Sequence, residues 1–220
     1  MSKANPYRET RNYENLQKVI YDGEGEYQIP ALTPVNDLHK VEGWIPWNKA
    51  STSRRRDNKG IHFFIDDYHF TRLWEQPDHY LSMLREFGAV CTPDFSPYSD
   101  FPKAMQLYNH YRKHWLGRYW QDNGITVIPT ITWSSPDTLE WAFDGEPVGG
   151  IVALSSVGML KGEYKDWLID GYEAMMDILQ PTAILWKGTV PEEIKNSGII
   201  EIEQHVAKWR RKVGLNAKGR

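Results

Sequence analysis

Four apolar segments of the sequence end in residues that could take part in chemistry. The segments cover residues 61–66, 89–94, 126–132 and 150–155. Asp66 and Asp94 end the first two, Trp133 follows the third and Ser155 ends the fourth. In an α/β protein with a parallel sheet, the loops at the carboxyl ends of the strands form the binding crevice. We therefore expect these side chains to converge on one site.

Asp66 and Asp94 are the predicted catalytic residues. Two carboxylates at neighbouring strand ends can divide acid and base roles if their pKa values are pushed apart. Such a pair could also bind a divalent cation, so the cofactor stays open and no metal site is assigned. Asp94 has an alternative structural role, because Asp readily hydrogen-bonds its own downstream backbone in a turn.

Aromatic and hydroxyl side chains complete the predicted ligand site. Trp133 at a strand end would offer a flat platform to a base, a sugar or an aliphatic chain. The serines lack the Gly-x-Ser-x-Gly pattern of an activated nucleophile, and the glycines form neither a dinucleotide nor a Walker motif. The predicted ligand-binding residues are Asp67, Ser96, Trp133, Ser134, Ser155, Ser156 and Lys187.

Local clusters of basic residues suggest a second kind of site. The residues predicted to contact nucleic acid are Arg54, Arg55, Arg56, Arg112, Lys113 and Arg118. The tail of the chain is also basic. With 26 Lys and Arg against 29 Asp and Glu, the net charge of −3 gives no global attraction for a phosphate backbone. Any such surface must therefore be local.

Two histidines lie four residues apart on a predicted helix. The spacing of His110 and His114 would suit a metal ion. Arg112 and Lys113 lie between them, however, and cations repel a metal. We expect a solvated basic face at this position, since charged residues are mostly exposed.

Strands alternate with amphipathic segments along most of the chain. Further strands are predicted at residues 182–186 and 199–202, and helices at 77–87, 102–121, 137–143 and 164–179. This order is typical of a mostly parallel α/β sheet of about six strands with crossover helices. An open doubly wound sheet and an incomplete TIM-like barrel both fit the pattern.

The 220 residues are predicted to form one domain with two appended segments. Residues 1–60 are expected to be an irregular segment packed on the core, residues 61–204 the α/β core, and residues 205–220 a basic tail. The single Cys excludes an intramolecular disulfide. No stretch reaches the roughly 20 apolar residues of a membrane span, and the first residues lack a signal-peptide core. We expect a cytoplasmic protein with no membrane contact.

Several runs of the sequence resemble a family of unknown function found in bacteria, phages and other mobile elements. They include Thr-Pro-Asp-Phe-Ser from residue 92 and Val-Ile-Pro-Thr-Ile-Thr-Trp from residue 127, and extend over residues 62–68, 92–102, 109–121 and 127–133. The likeness covers roughly residues 45–190. It implies a phage or mobile-element setting, and no catalytic residue can be transferred from it.

The sequence is compatible with two functions. One is a hydrolase or transferase that acts on a nucleotide-like or sugar-like ligand at the strand ends. The other is a non-catalytic protein that binds nucleic acid, a host protein or a signalling nucleotide. Whether the protein is an enzyme, and in what oligomeric state it works, is left open by the sequence.

Overall fold

The computed structural model describes residues 14–16, 18–194 and 198–202. Two short strands, β1 (Gly23–Glu24) and β2 (Ile29–Pro30), pair antiparallel near its start. The first parallel sheet contains β3 (Gly43–Pro46), β4 (Lys59–His62), β5 (Ala89–Cys91) and β6 (Val127–Ile128). The second contains β7 (Ile151–Ser155), β8 (Ala183–Lys187) and β9 (Ile199–Glu201).

All pairings within these two sheets are parallel, as predicted. Ile61 on β4 lies opposite Ile45 on β3 and Val90 on β5. The two sheets meet at a parallel bridge between Thr130 and Ala153. There the Ile131 N–H donates to the Ala153 carbonyl at 2.8 Å. The carboxyl ends of β4 to β7 therefore point to one side of the molecule.

The strand order follows the chain order in both sheets. A doubly wound sheet reverses its order at a switch point, and neither of the described sheets does so. The structure shows parallel sheets of four and three strands rather than about six strands in one sheet, and the described strands do not close into a barrel.

The segment before residue 60, expected to be irregular, contributes strand β3 to the first sheet. This strand has four residues and ends at Pro46, which cannot donate a hydrogen bond to a neighbour. Such a short run shows too little alternation to be recognised by its period.

The helices that lie wholly within the described residues are α1 (Arg72–Glu75), α2 (Pro77–Leu84), α3 (Lys103–Asp122) and α4 (Glu163–Leu179). The helix expected at 137–143 is a 3₁₀ turn, Pro136–Glu140. Two further 3₁₀ turns cover Trp47–Lys49 and Asp67–His69. None of the described helices is long and apolar enough to cross a membrane.

Helix α3 packs closely against the first sheet and carries much of the core. Trp115 and Trp120 are fully buried on it. A Cβ at Gly117 would lie 2.7 Å from the Thr92 side chain after β5, so only glycine permits this approach. The interior divides into one apolar cluster around β3–β6 with α1–α3 and a second around β7, β8 and α4.

Candidate functional site

A cavity of about 720 Å³ lies at the carboxyl ends of β4, β5, β6 and β7. Its volume is within the range of small-molecule sites, roughly 300–1,000 Å³. Both sheets contribute to its wall, because the Thr130–Ala153 bridge places the end of β6 beside that of β7. The predicted site residues among its lining are Asp66, Asp67, Asp94, Ser96, Trp133, Ser134 and Ser155.

Asp94 is the titratable group with the most unusual environment in this cavity. It follows β5 on the segment Thr92–Pro93, is half-buried, and its carboxylate accepts no hydrogen bond from the described residues. Burial, reinforced by the charge of Asp67 and opposed by that of Lys113, raises the pKa of Asp94 to about 7. Asp94 can therefore both accept and release a proton near neutral pH. The alternative role as a loop cap has no hydrogen bond to support it.

Asp67 and Ser96 join the loops that follow β4 and β5. The Asp67 carboxylate accepts hydrogen bonds from the Ser96 N–H and from its hydroxyl, both at 3.0 Å. Asn109 on α3 also donates to the Ser96 carbonyl at 2.7 Å. Asp67 thus fixes the loop that carries Asp94 and supplies the charge that acts on it. Asp66 is exposed at the cavity rim, where its carbonyl accepts the His69 N–H.

Trp133 lies in the core with one edge at the cavity, not as an open platform. Its residue is 7% exposed, and its indole N–H donates to the Trp167 carbonyl at 2.8 Å. The ring packs against Gly171 of α4, where a Cβ would lie 2.1 Å from Trp133 Cε2. A ring enclosed in this way cannot offer a full face to a ligand.

The predicted hydroxyl and lysine ligands divide between the cavity and the interior. The Ser134 N–H donates to the Thr138 hydroxyl at 3.0 Å, and the Ser155 hydroxyl accepts the Val157 N–H at 3.2 Å. Ser156 is buried, and its hydroxyl donates to the Thr189 carbonyl at 2.7 Å. Ser156 lines a separate cavity of about 390 Å³. Lys187 is half-buried at the end of β8, outside the lining of the larger cavity.

The accessible aromatic rings at the cavity mouth were not among the predicted residues. Tyr98 is 53% and Tyr164 41% exposed, and Trp167 is half-buried beside Tyr164 with ring centroids 5.2 Å apart. Tyr98 comes four residues after Asp94, and the other two lie on the first turns of α4. An aromatic residue at the start of the helix after β7 was the available signal, but the sequence predicted Tyr164 only as the first residue of that helix.

The six predicted nucleic-acid residues do not form one surface. Arg54 and Arg55 are exposed, while Arg56 donates to Glu86 at 2.8 Å. Arg112 is half-buried with its guanidinium 3.7 Å from the Phe95 ring centroid, and Arg118 donates to Asp122 at 3.0 Å. None of the described residues lining the larger cavity is Lys or Arg. The described part of the site therefore offers no cation to a phosphate.

Lys113 belongs to the interior, which corrects its expected role in phosphate contact. Its side chain is 1% exposed, and its ammonium donates to Glu146 Oε1 at 2.8 Å and to the Thr130 carbonyl at 2.9 Å. His110 and His114 are buried as well, so the expected solvated basic face is wrong. Glu146, 33 residues further along the chain, neutralises the Lys113 ammonium and so offsets the free-energy cost of burying it.

The network around Glu146 lies directly behind the cavity wall. Burial alone would raise the pKa of Glu146, but the charge of Lys113 and its hydrogen bond, together with the contact to His114, hold it below its ordinary value. Glu146 is therefore ionised at neutral pH. The Lys113 ammonium lies 3.5 Å from the hydroxyl of Thr132, which lines the cavity.

A family model described as a domain of unknown function, DUF4417, matches residues 21–205. The chain belongs to the DUF4417 family. The match extends further at both ends than the runs around Thr-Pro-Asp-Phe-Ser indicated. Among the relatives of this DUF4417 protein is the "Gene 1 protein" of Mycobacterium phage L5, 36% identical over 210 residues, or 92% of this chain and 89% of the relative.

A second phage relative of this DUF4417 protein is the "Gene 1 protein" of Mycobacterium phage D29. It is 32% identical over 203 residues, which cover 89% of this chain and 72% of the relative. The expected phage association is thus confirmed by two homologues. No solved structure matches the chain.

Proposed function

We propose that this protein binds a small polar ligand without negative charge, of the sugar or nucleoside type, in the cavity at the strand ends. We propose further that Asp94 transfers a proton to or from that ligand, as the acid or base of a hydrolase or transferase. The observation that carries the proposal is a carboxyl group with a pKa of about 7 facing a cavity of about 720 Å³.

The charge of the cavity supports an uncharged ligand over a phosphorylated one. Its described lining contains the carboxylates of Asp66, Asp67, Asp94 and Asp100 and no cationic side chain. A phosphate group would be repelled at such a site, because like charges in a partly desolvated cavity interact strongly. Sugars and nucleosides carry hydroxyl groups that these carboxylates can accept hydrogen bonds from.

The aromatic rings supply the apolar part of the site. Tyr98 and Tyr164 are exposed at the mouth, and Trp167 lies beside Tyr164. Rings of this kind can pack on the face of a sugar or a base and bury apolar area at a low entropic cost. Because the rings lie at the entrance and Asp94 lies deeper, the ligand would be held by the former and would react at the latter.

The roles of the two flanking carboxylates follow from their contacts. Asp67 is held by Ser96 and raises the pKa of Asp94, so we assign it as a positioning residue. Asp66 is exposed and free to face a ligand from the rim. Asp66 is therefore the group we propose as the partner of Asp94 in dividing acid and base roles.

Binding to a panel of ligands tests the first part of the proposal. Isothermal calorimetry on the full chain should detect neutral sugars or nucleosides, and the matching nucleoside phosphates should bind more weakly. Tyr164→Ala should weaken binding by about 1 kcal/mol, as loss of an aromatic contact does. Tyr27→Ala is the matched control, since Tyr27 is 43% exposed but does not line the cavity. Tighter binding of the phosphates would contradict the assignment.

Turnover of the ligand found in that panel tests the second part. Asp94→Asn should lower kcat by about 10²–10⁴-fold, the usual contribution of a positioned acid or base, while binding persists. The pH profile of the wild type should show an inflection near 7 that the variant lacks. Binding without any turnover would make the cavity a sequestering site instead of an active site.

A further inference from the structure

A second polar cluster lies behind the cavity wall, outside the proposed ligand site. His110 and His114 project from successive turns of α3, and Glu146 reaches them from the loop before β7. One ligand atom from each side chain lies within 4.8 Å of the others. All three residues are buried, and the side chains of His114 and Glu146 have no exposed surface at all.

The backbone fixes which ring nitrogens carry a proton. His110 Nε2 lies 3.1 Å from the Asp144 carbonyl and His114 Nδ1 lies 3.0 Å from the Pro30 carbonyl. A carbonyl can only accept, so each of these nitrogens donates. In neutral rings the opposite nitrogens, His110 Nδ1 and His114 Nε2, then present lone pairs. Metal-binding histidines commonly have this arrangement, with the second nitrogen tied to a carbonyl.

These lone pairs have no adequate partner within the described residues. His110 Nδ1 and Glu146 Oε2 are buried and accept no hydrogen bond. His114 Nε2 lies 2.9 Å from Glu146 Oε1, which is also an acceptor. Leaving buried polar atoms unpaired costs about 1–3 kcal/mol each. The cluster therefore calls for a cation, which is either a second proton on His114 or a metal ion.

We propose that His110 Nδ1, His114 Nε2 and Glu146 bind a divalent transition-metal ion of the zinc class. Two imidazole nitrogens and one carboxylate are a common donor set for zinc, which takes these ligands at about 2.0–2.2 Å. The same set does not suit Mg²⁺ or Ca²⁺, because both prefer oxygen ligands. A metal would satisfy all three lone-pair atoms at once, whereas a proton on His114 leaves His110 Nδ1 and Glu146 Oε2 unpaired.

Lys113 is compatible with this site although it is a cation. Its ammonium donates to Glu146 Oε1 and so leaves Oε2 as the oxygen for the metal. Hydrogen bonds from a neighbour to a ligating carboxylate are usual around metals. The carboxylate of Asp94 also acts electrostatically on Lys113 and offsets part of its positive charge.

The spacing of the two histidines on α3 agrees with a shared ion. The two rings are 4.4 Å apart between centroids, close enough to share one ion.

The placement assigns the metal a structural role. No described atom of the cluster lines the larger cavity, and Thr130 and Thr132 with Lys113 stand between the two. A bound ion would tie α3 to the loop at residues 144–146 and, through the Pro30 carbonyl, to β2. Such an ion contributes to folding, because ligands scattered over the sequence meet only in the folded chain.

Metal analysis of the full chain tests this proposal. The protein is produced without a histidine tag in zinc-supplemented medium and passed over a desalting column. Mass spectrometry of the metal content should then give about one zinc per chain. His110→Gln should lose most of it, since the Gln amide can still donate to Asp144 but lacks the Nδ1 lone pair. His79→Gln, at an exposed histidine, is the matched control and should keep the metal.

Two further measurements keep the test independent of how the variant folds. Wild-type protein grown with cobalt should show visible d–d absorption bands of a tetrahedral site, and removal of metal by a chelator under mild denaturation should lower the melting temperature. Neither readout depends on the proposed activity. A zinc content below about a tenth of an equivalent, or equal metal content in the His110 and His79 variants, would overturn the proposal in favour of a second proton on His114.

Discussion

The pKa of Asp94 is unusual because its carboxylate has no hydrogen-bond partner among the described residues. The Asp67 carboxylate, whose charge acts on Asp94, accepts two hydrogen bonds from Ser96, whereas the Asp94 carboxylate accepts none from the described residues. A carboxyl group that is desolvated without compensation favours its neutral form. This is the physical reason why the pKa of Asp94 rises to about 7 while its cavity stays accessible.

The stability of the protein should therefore fall as Asp94 ionises. Its folded pKa of about 7 exceeds the ordinary value of 3.8, so the folded chain holds the proton more tightly than the unfolded chain. The free energy of unfolding should decrease between pH about 4 and 7. Asp94→Asn, which keeps the neutral shape, should be more stable than the wild type by roughly 1–3 kcal/mol above pH 7.

Urea unfolding of both proteins from pH 4 to pH 8 measures this difference. The two proteins should have similar stability at pH 4 and diverge as the pH rises. Asp100→Asn is the matched control, because Asp100 lines the same cavity but is exposed. A stability difference that shrinks with rising pH would contradict the assignment.

At the scale of elements, α4 positions one wall of the cavity through a single close contact. Gly171 on α4 meets the indole of Trp133, and the indole N–H donates to the Trp167 carbonyl on the same helix. The accessible rings of Tyr164 and Trp167 lie on the first turns of that helix. The distance between α4 and the end of β6 thus sets the width of the mouth.

Gly171→Ala should destabilise the protein although alanine favours helix by about 1 kcal/mol. The added Cβ would come 2.1 Å from Trp133 Cε2 and 2.2 Å from Nε1, so the helix or the ring must shift. Overpacking of this kind usually costs about 1–3 kcal/mol, which exceeds the gain in propensity. Thermal unfolding measures the change, with Asp170→Ala at the exposed neighbouring position as control. An unchanged or raised melting temperature would show that the contact is not as close.

At the scale of the whole molecule, the described lining of the cavity carries carboxylates and no Lys or Arg, and most of the predicted phosphate contacts are engaged elsewhere. Lys113 is buried, Arg112 stacks on Phe95, and Arg56 and Arg118 are paired with Glu86 and Asp122. Among the described residues predicted to contact nucleic acid, this leaves Arg54 and Arg55 as exposed cations. The basic tail predicted at residues 205–220 lies outside the described part of the chain.

We accordingly expect association with DNA to be weak and lost at physiological salt. Two exposed arginines would neutralise about two phosphates, which gives a log–log slope on salt near −2. Fluorescence anisotropy with single- and double-stranded DNA at low and physiological salt measures it, and Arg54→Ala with Arg55→Ala should remove most of that slope. Tight binding that is insensitive to salt would instead favour a nucleic-acid function.

Sequence periodicity predicted most of the parallel strands and the longer helices, and it located one edge of the cavity. Apolar runs of strand length, each followed by a helical period, predicted parallel strands, and the rule for their carboxyl ends placed Asp66, Asp94 and Ser155 around one cavity. Both signals are local, so a single sequence carries them. The short strand β3 was not predicted, because four residues are too few to show the alternation of a strand.

Tertiary structure decided which polar side chains are buried and what they meet. The sequence predicts a solvated face of α3 at His110, Lys113 and His114. In the structure this face is buried, because Glu146, 32 residues from His114, packs against it. The sequence likewise predicts an open ring at Trp133, whereas the structure packs this ring against Gly171. Whether a charged group or a ring is buried depends on the residue that packs against it. When that residue is distant in the sequence, no local periodicity indicates the contact. The environment that raises the pKa of Asp94 arises in the same way, from loops that meet only in the folded chain.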